Sequence, residues 1–473
     1  MGGSSGAYLI VDRRVSTDAP IGASPPQHLG TVSKVGDLNT AARLLQHLAT
    51  PSIPLRRHRA DVELPPPETS NRLISIYFAR LHPFHPFVHK AAFLRCLRDR
   101  RRPPLLLLNA IYAIAARWAN DPSLYAEPGK PLTAGQIFFD RARTLLDDEY
   151  DRSELTTVQA LILMSFYQHG CSQEMSAWLL AGMAFRMAHD LGLHRDCERW
   201  DLDRMDHVEK ETRRRVWWAC FVVDSMISAA LGRPLAIDER DIDAQLPRIE
   251  EDEEADLDEE EATAATLIKL SELVAKVLRN VYGPRAARNN LYEVTSRMDV
   301  ELGIWVARLP PPYRYREEDF TYSSTTISPF AGMLHILSDV LRILLHRPMI
   351  ALPPMPLSAI TSSMVGGWNS FRICCDAAQR ITRIADCLRV GGYLRCHGIV
   401  FIVYAVFQAS IVHLNNATAP DEAIRRPARG HLALSLRALD EVQKDWLSAK
   451  QCRAILVDLM DARGIQLTDA DYG

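Results

Sequence analysis

Apolar residues recur at steps of three and four along most of the chain after residue 67, which is the spacing of α-helices with one buried face. No run of alternating apolar and polar residues indicates a strand. We therefore predict an all-α fold, with residues 1–67 as a flexible Pro-, Ser- and Arg-rich lead-in and residues 68–473 as one large multi-helix domain. The helices are predicted over 71–80, 91–98, 104–119, 135–148, 158–169, 175–191, 209–231, 262–282, 289–309, 330–345, 369–388, 394–414, 431–447 and 452–460.

The most informative of these helices is the one predicted over residues 209–231. It starts as a charged turn, becomes almost wholly apolar, and is expected to end at the sequence Gly232-Arg233-Pro234. Asp224 lies inside its apolar part, where an unpaired carboxylate would cost several kcal/mol. The carboxylate therefore needs a partner, and the nearest candidates are the arginines on the same stretch: Arg213, Arg214, Arg215 and Arg233.

Composition narrows the class of protein. With 473 residues and 47% hydrophobic content the chain can bury a large core, and its formal net charge of -3 does not indicate a nucleic-acid-binding surface. The negative charge is concentrated in an acidic run, which predicts a solvated loop at 249–261. The most apolar segment, 399–412, is too short to cross a bilayer, so we expect no membrane association.

The nine cysteines are scattered without a C-x2-C pair, which favours reduced thiols in a cytosolic or nuclear setting. We predict no metal site and no cofactor, because phosphate-loop, dinucleotide and zinc-peptidase motifs are all missing from the sequence. Four histidines and one aspartate allow two interpretations. Their polar atoms are either satisfied by hydrogen bonds within the packed fold or they transfer protons in catalysis. If the protein is an enzyme, the catalytic candidates are His82, His85, His89, Asp190 and His194.

The order of several short motifs resembles the fungal-specific transcription factor domain, also called the middle homology region, of Zn2Cys6 zinc-cluster regulators. Each motif is weak alone, and their order carries the resemblance over roughly residues 70–460. The motifs are Tyr77-Phe78, His82-Pro83, His85-Pro86-Phe87-Val88-His89, Ala188-His189-Asp190-Leu191-Gly192-Leu193-His194-Arg195-Asp196, Glu211-x-Arg213-Arg214-Arg215-Val216-Trp217-Trp218, Asp224 ahead of Leu231-Gly232-Arg233-Pro234, Leu345-His346-Arg347-Pro348 and Asp445-Trp446-Leu447.

The resemblance implies an all-α regulatory domain, nuclear and often dimeric, that couples small-molecule or partner binding to transcription. A small-molecule effector would bind in a helical pocket, and a coactivator or a second copy of the chain would be a protein partner. The family's six-cysteine DNA reader has no counterpart in this sequence, so DNA would be reached through such a cluster elsewhere or through a partner. The signature residues would be architectural: Arg213, Arg214, Arg215, Trp217, Trp218, Asp224, Gly232, Arg233 and Pro234.

Two alternatives remain open at this stage. One is an enzyme built on the same helical scaffold, such as a cyclase or isomerase of fungal secondary metabolism, since an apolar helical cavity can orient a flexible substrate with few polar groups. Such an enzyme would be expected in the cytoplasm. The other is a scaffold or inhibitor that dimerises with longer relatives.

Overall fold

Helices make up nearly all regular structure in the computed structural model, which describes residues 64–99, 101–199, 205–248, 258–284, 286, 290–315, 328–350, 363–395 and 399–472. Within these ranges the only β-type pairing is an isolated bridge between Tyr125 and Ala134. The predicted all-α fold is confirmed. Most of the predicted lead-in (1–63) and most of the predicted acidic loop (249–257) lie outside the described residues.

The helices are numbered here in chain order. The first eight are α1 Pro67–Arg80, α2 Lys90–Arg98, α3 Leu105–Ala116, α4 Gln136–Glu149, α5 Leu155–Gly170, α6 Glu174–Asp190, α7 His207–Leu231 and α8 Asp258–Val277, which continues as a π-helical turn, Leu278–Tyr282. The others are α9 Leu291–Ala307, α10 Pro329–Ile350, α11 Ser363–Val390, α12 Ile399–Asn416, α13 Glu422–Val442, α14 Leu447–Ala462 and the short α15 Asp469–Tyr472.

The first half of the fold packs around two helices that are apolar on nearly every side. Helix α3 is buried from Leu106 to Ala116, and α5 from Thr157 to Tyr167. Helix α3 packs against α1, α4 and α5, while α5 packs against α6, and α7 lies between α6 and α8. Because α7 has neighbours on several sides, its residues are buried almost continuously, as the double tryptophan and its apolar neighbours predict.

The second half is a succession of packed helices in which α10 contacts α11, α11 contacts α12 and α13, and α13 contacts α14. Trp446, directly before α14, is buried against the first half, with the Arg117 guanidinium carbon 4.8 Å from its ring centroid. The same arginine donates a hydrogen bond to the carbonyl of Leu132 at 2.7 Å. A single buried cation thus ties the end of the chain to its first helices.

Two helices extend past prolines that the sequence pattern treats as breaks. Helix α10 continues through Pro348 to Ile350, where the prediction ends it at residue 345. A proline leaves the carbonyl four residues earlier without its helical donor. At Pro348 that carbonyl belongs to Leu344, and the hydroxyl of Tyr282 donates to it at 2.6 Å. The substitute donor explains why α10 tolerates the proline.

Helix α13 is the second case. It begins at Glu422 and runs through Pro427, whereas the sequence pattern places its start at residue 431. Other boundaries also differ from the prediction by four residues or more. Helix α8 begins at Asp258, so the last four acids of the acidic run, residues 258–261, are helical rather than part of a loop. Within the described residues no helix combines the length and apolarity needed to cross a membrane.

Candidate functional site

The end of α7 is shaped by a glycine and a proline. Gly232 adopts φ +64°, a left-handed conformation that favours glycine, and its N–H bonds to the carbonyl of Ser228. The N–H of Arg233 bonds to the same carbonyl at 3.0 Å. Pro234 cannot continue a helix, so the chain leaves the axis and turns back along α7.

The returning segment is held by Asp224, which is buried in α7. Its carboxylate accepts the backbone N–H of Ala236 at 2.9 Å and of Ile237 at 2.8 Å, and the Ser228 hydroxyl lies 3.4 Å from it. On the other side of the segment, Arg279 donates to the carbonyl of Ile237 at 2.8 Å. We call this arrangement of Asp224, Ser228, Ala236, Ile237 and Arg279 the Asp224 clamp.

Burial raises the pKa of Asp224 to about 6, although the N–H groups of Ile237 and Ala236, the Ser228 hydroxyl and the charge of Arg279 all act in the opposite direction. The groups that favour the charged carboxylate are therefore mainly backbone N–H groups. Such an arrangement fixes a loop, and the same N–H groups cannot at the same time bind a substrate.

The predicted pairing of Asp224 with the nearby arginines is wrong. The partners are backbone amides, and the arginine that contributes comes from the π-helical turn after α8. Arg233 instead lies over the ring of Trp178, with its guanidinium carbon 4.4 Å from the ring centroid. Backbone amides are present at every non-proline residue, so no residue type in the sequence signals such a partner. The one usable signal is Gly232 followed by Pro234, which indicates a tight turn.

The three consecutive arginines of α7 have other partners. Arg213 donates to the carbonyl of Leu191 at the end of α6, at 2.6 Å. Arg214 and Arg215 both bind Glu211, a fully buried carboxylate that also accepts the N–H of Arg248 at 3.0 Å. Glu211 is therefore a second clamp, on the loop after residue 244, and it was not among the predicted site residues.

Trp217 and Trp218 connect α7 to two different loops. Trp217 is fully buried. It packs edge-on against His189, at 5.1 Å between ring centroids, and at a tilt against His194, at 5.6 Å. The carbonyl of His194 accepts the N–H groups of Asp243 and Ala244, each at 3.0 Å. Trp218 donates its indole N–H to the carbonyl of Gln245 at 2.8 Å. These contacts join the loop after α6 to the loop before the acidic run.

The five candidate catalytic residues lie in two separate parts of the fold. His82 bonds through Nε2 to the carbonyl of Val88 at 2.7 Å. His89 caps α2, where its Nδ1 accepts the N–H of Ala92 at 3.4 Å. His85 lies 5.0 Å from the ring of Phe166, and burial lowers the pKa of His85 to about 4.

Asp190 and His194 lie elsewhere, at the end of α6 and in the loop that follows it. Asp190 is exposed, whereas His194 packs against Trp217. In the structure, His82 makes a hydrogen bond to the backbone, His85 packs against an aromatic ring and His89 caps a helix. In the described part of the chain no group of three or more His, Cys, Asp or Glu side chains could hold a metal ion.

These features define the class of protein as a large all-α domain whose signature residues hold loops against one central helix. Residues 74–307 match the family model described as "Fungal specific transcription factor domain". The chain therefore contains a fungal specific transcription factor domain, and the resemblance deduced from its motifs is confirmed.

Several curated proteins are similar to the chain over most of its length. Cutinase transcription factor 1 alpha of Fusarium vanettenii is 27% identical over 97% of this chain and 49% of its own length. Nitrogen assimilation transcription factor nit-4 of Neurospora crassa is 26% identical over 86% of this chain and 39% of its own length. The Acetamidase regulatory protein of Aspergillus fumigatus is 28% identical over 80% of this chain and 48% of its own length.

The chain thus spans less than half the length of each of these three relatives. Their names describe transcription factors or regulators, which gives the enzyme alternative no support. No solved structure gives a significant match.

Proposed function

We propose that this chain is the regulatory domain of a fungal transcription regulator, and that it couples the binding of a small molecule or a protein partner to transcription. The observation that carries the proposal is the family match over residues 74–307, together with relatives that are named as transcription regulators. The signature residues Asp224 and Trp217 support it, because their side chains are engaged in internal contacts, as is the side chain of Glu211.

The remaining parts of the proposal follow from the same family. The regulatory domain extends from about residue 68 to residue 473, and the protein acts in the nucleus. It reaches DNA through a zinc cluster outside the present sequence or through a partner that carries one. A coactivator or a second copy of the chain is the protein partner, and secondary metabolism is one setting for the genes it controls.

A reporter assay tests this function. The full chain is fused to an unrelated DNA-binding domain in a fungal host, and expression of a reporter gene with the cognate sites is compared with the DNA-binding domain alone. We expect the fusion to change reporter expression, Asp224→Ala to weaken the change, and Asp190→Ala at an exposed position to leave it intact. A folded, nuclear fusion that leaves expression at the level of the DNA-binding domain alone would contradict the proposal.

A further inference from the structure

A cavity of about 290 Å³ lies between α11, α12 and the first turns of α13, in the part of the chain that follows the family match. By contrast, the cavity lined by His85, Trp218 and Leu267 has a volume of about 30 Å³, which is room for roughly one water molecule. The larger cavity approaches the size range of small-molecule sites in proteins. It is open to solvent near Ala423, which is exposed.

The walls of this cavity combine one apolar side with uncharged polar groups. Phe371, Ile424 and Pro427 supply apolar surface, and Gln379 supplies a side-chain amide. Asn416 contributes a second amide, whose Nδ2 donates to the thiol sulfur of Cys375 at 3.1 Å. Two primary amides beside an apolar wall suit a ligand that both donates and accepts hydrogen bonds.

The floor of the cavity is rigid and neutral. His413 is buried there, with Nε2 2.9 Å from the Thr382 hydroxyl and 3.2 Å from the carbonyl of Ala378, and its ring is stacked at 5.2 Å on that of His431. Burial lowers the pKa of His413 to about 3, so the ring is uncharged at neutral pH. A preformed floor reduces the entropy that a ligand must lose on binding.

Among the residues that line this cavity, Arg372 carries the one formal charge. The Arg372 side chain is 78% exposed and lies 3.9 Å from Asp376, one turn further along the same helix. A charged ligand group placed deeper in the cavity would face Gln379, Asn416 and neutral His413, with no opposite charge to offset its desolvation. The interior therefore favours an uncharged ligand over an ion.

Pro427 leaves one backbone acceptor without its helical donor at the mouth of the cavity. It lies inside α13 and has no N–H to give to the carbonyl of Ala423, and both residues line the cavity. At the other proline that interrupts a helix, Pro348, the corresponding carbonyl of Leu344 receives the Tyr282 hydroxyl instead. At Ala423 a ligand N–H group can take that role.

We propose that this cavity binds a compact, uncharged molecule that carries a carboxamide, or an equivalent adjacent donor and acceptor, next to an apolar ring. The ring packs on Phe371, Ile424 and Pro427. The carboxamide N–H groups approach the Ala423 carbonyl, and its oxygen accepts from the Gln379 amide. This inference rests on the proposed function, because it assigns a site and a chemical class to the effector of the regulatory domain.

Benzamide and its charged isostere benzoate are the probes. Titration of the purified full chain, followed by ligand-observed NMR and by the thermal midpoint, should show benzamide binding with a Kd in the millimolar range typical of small fragments. Benzoate should bind at least about tenfold more weakly, because its carboxylate finds no charged partner inside the cavity.

Two variants place the binding in this cavity. Gln379→Leu removes one amide and should weaken benzamide binding by about tenfold. Ala423→Trp fills the exposed mouth and should abolish it, whereas Ala307→Trp, at an exposed position near the end of α9, should bind as the parent protein does.

Three results would each overturn the proposal. The first is no benzamide binding at concentrations up to about 10 mM, the range of weak fragments. The second is equal or tighter binding of benzoate, and the third is benzamide binding that neither cavity variant changes. The measurement uses no transcription readout. Benzamide binding combined with a silent reporter would therefore refute the proposed function and leave the site standing, and the reverse pair of results would refute the site alone.

Discussion

The carboxylate of Asp224 and the backbone N–H of Ile237 are joined by a 2.8 Å hydrogen bond across 13 positions of sequence. The carbonyl of Ile237 is held by Arg279, so the peptide groups of this one residue are fixed from two sides by different helices. The loop after α7 is consequently part of the packed domain, and the short signature around Gly232 is explained by its geometry.

Replacing Asp224 by alanine should destabilise the fold. The variant leaves the N–H groups of Ala236 and Ile237 without their acceptor. Ala236 is exposed and its N–H can bind water, whereas Ile237 is buried, and a buried unsatisfied donor costs about 1–3 kcal/mol. Part of this loss is offset, because the buried carboxylate is no longer desolvated, so we expect a net loss in the lower part of this range, about 1 kcal/mol, at pH 7. Denaturant unfolding followed by circular dichroism measures it, with exposed Asp190→Ala as the control that should change stability by less than about 0.5 kcal/mol.

A comparison of two arginines distinguishes the observed clamp from the pairing that the sequence predicts. Arg279→Met removes the donor to the Ile237 carbonyl and an ion pair with Glu239 at 3.3 Å. Since this side chain is partly exposed, we expect a loss of about 1–2 kcal/mol in the free energy of unfolding. Arg233→Met removes a surface contact with Trp178 and should cost less. The opposite order of the two losses would contradict the role assigned to Arg279 in the clamp.

The buried His85, which packs against Phe166, makes the stability of the fold sensitive to acid. The pKa of His85 falls from 6.5 to about 4 on folding, so the neutral ring stabilises the fold above pH 6.5, and this stability is lost as the pH falls from 6.5 to about 4. The difference of about 2.5 pH units corresponds to at most about 3 kcal/mol. His85→Phe should therefore resemble the parent protein at pH 7 and lose less stability between pH 6.5 and 4. Parallel pH profiles of unfolding would exclude His85 as a source of the acid sensitivity.

Two helical glycines give opposite expectations for the same substitution. A Cβ atom at Gly170 would lie 1.8 Å from Cε3 of Trp446, whereas one at Gly182 would have nothing within 4 Å. Gly170→Ala must displace the indole that links the two halves of the fold and should cost about 2 kcal/mol or more. Gly182→Ala should stabilise the protein by about 0.5–1 kcal/mol, since alanine favours the helix. Thermal unfolding of both variants measures the contrast, and similar midpoints would place Trp446 elsewhere.

Helix content and the central helix could be predicted from the sequence because they depend on local periodicity. Val216, Cys220, Val223 and Ile227 recur on one face, and all four are buried in α7. The end of α10 and the start of α13 differ from the prediction for a physical reason, since the cost of a proline depends on what replaces its missing donor. At Pro348 that replacement comes from Tyr282, a residue that the fold brings there from another helix.

The partners within the candidate site could be predicted less well. Asp224 was identified as buried and in need of a partner, yet its partners are peptide groups and Arg279, which no local pattern connects to it. Glu211 heads one of the family motifs but is absent from the predicted site residues, because its burial among arginines emerges from packing. The cavity at Gln379 and Ala423 depends on how three helices meet, which periodicity does not describe.

Hydrogen exchange of the loop that follows α7 tests the central claim, that the signature is a clamp on this loop. The amides of Ala236 and Ile237 should be protected in the parent protein and in Asp190→Ala, and should exchange much faster in Asp224→Ala under conditions where all three proteins remain folded. Equal protection of these two amides with and without the Asp224 carboxylate would contradict the account.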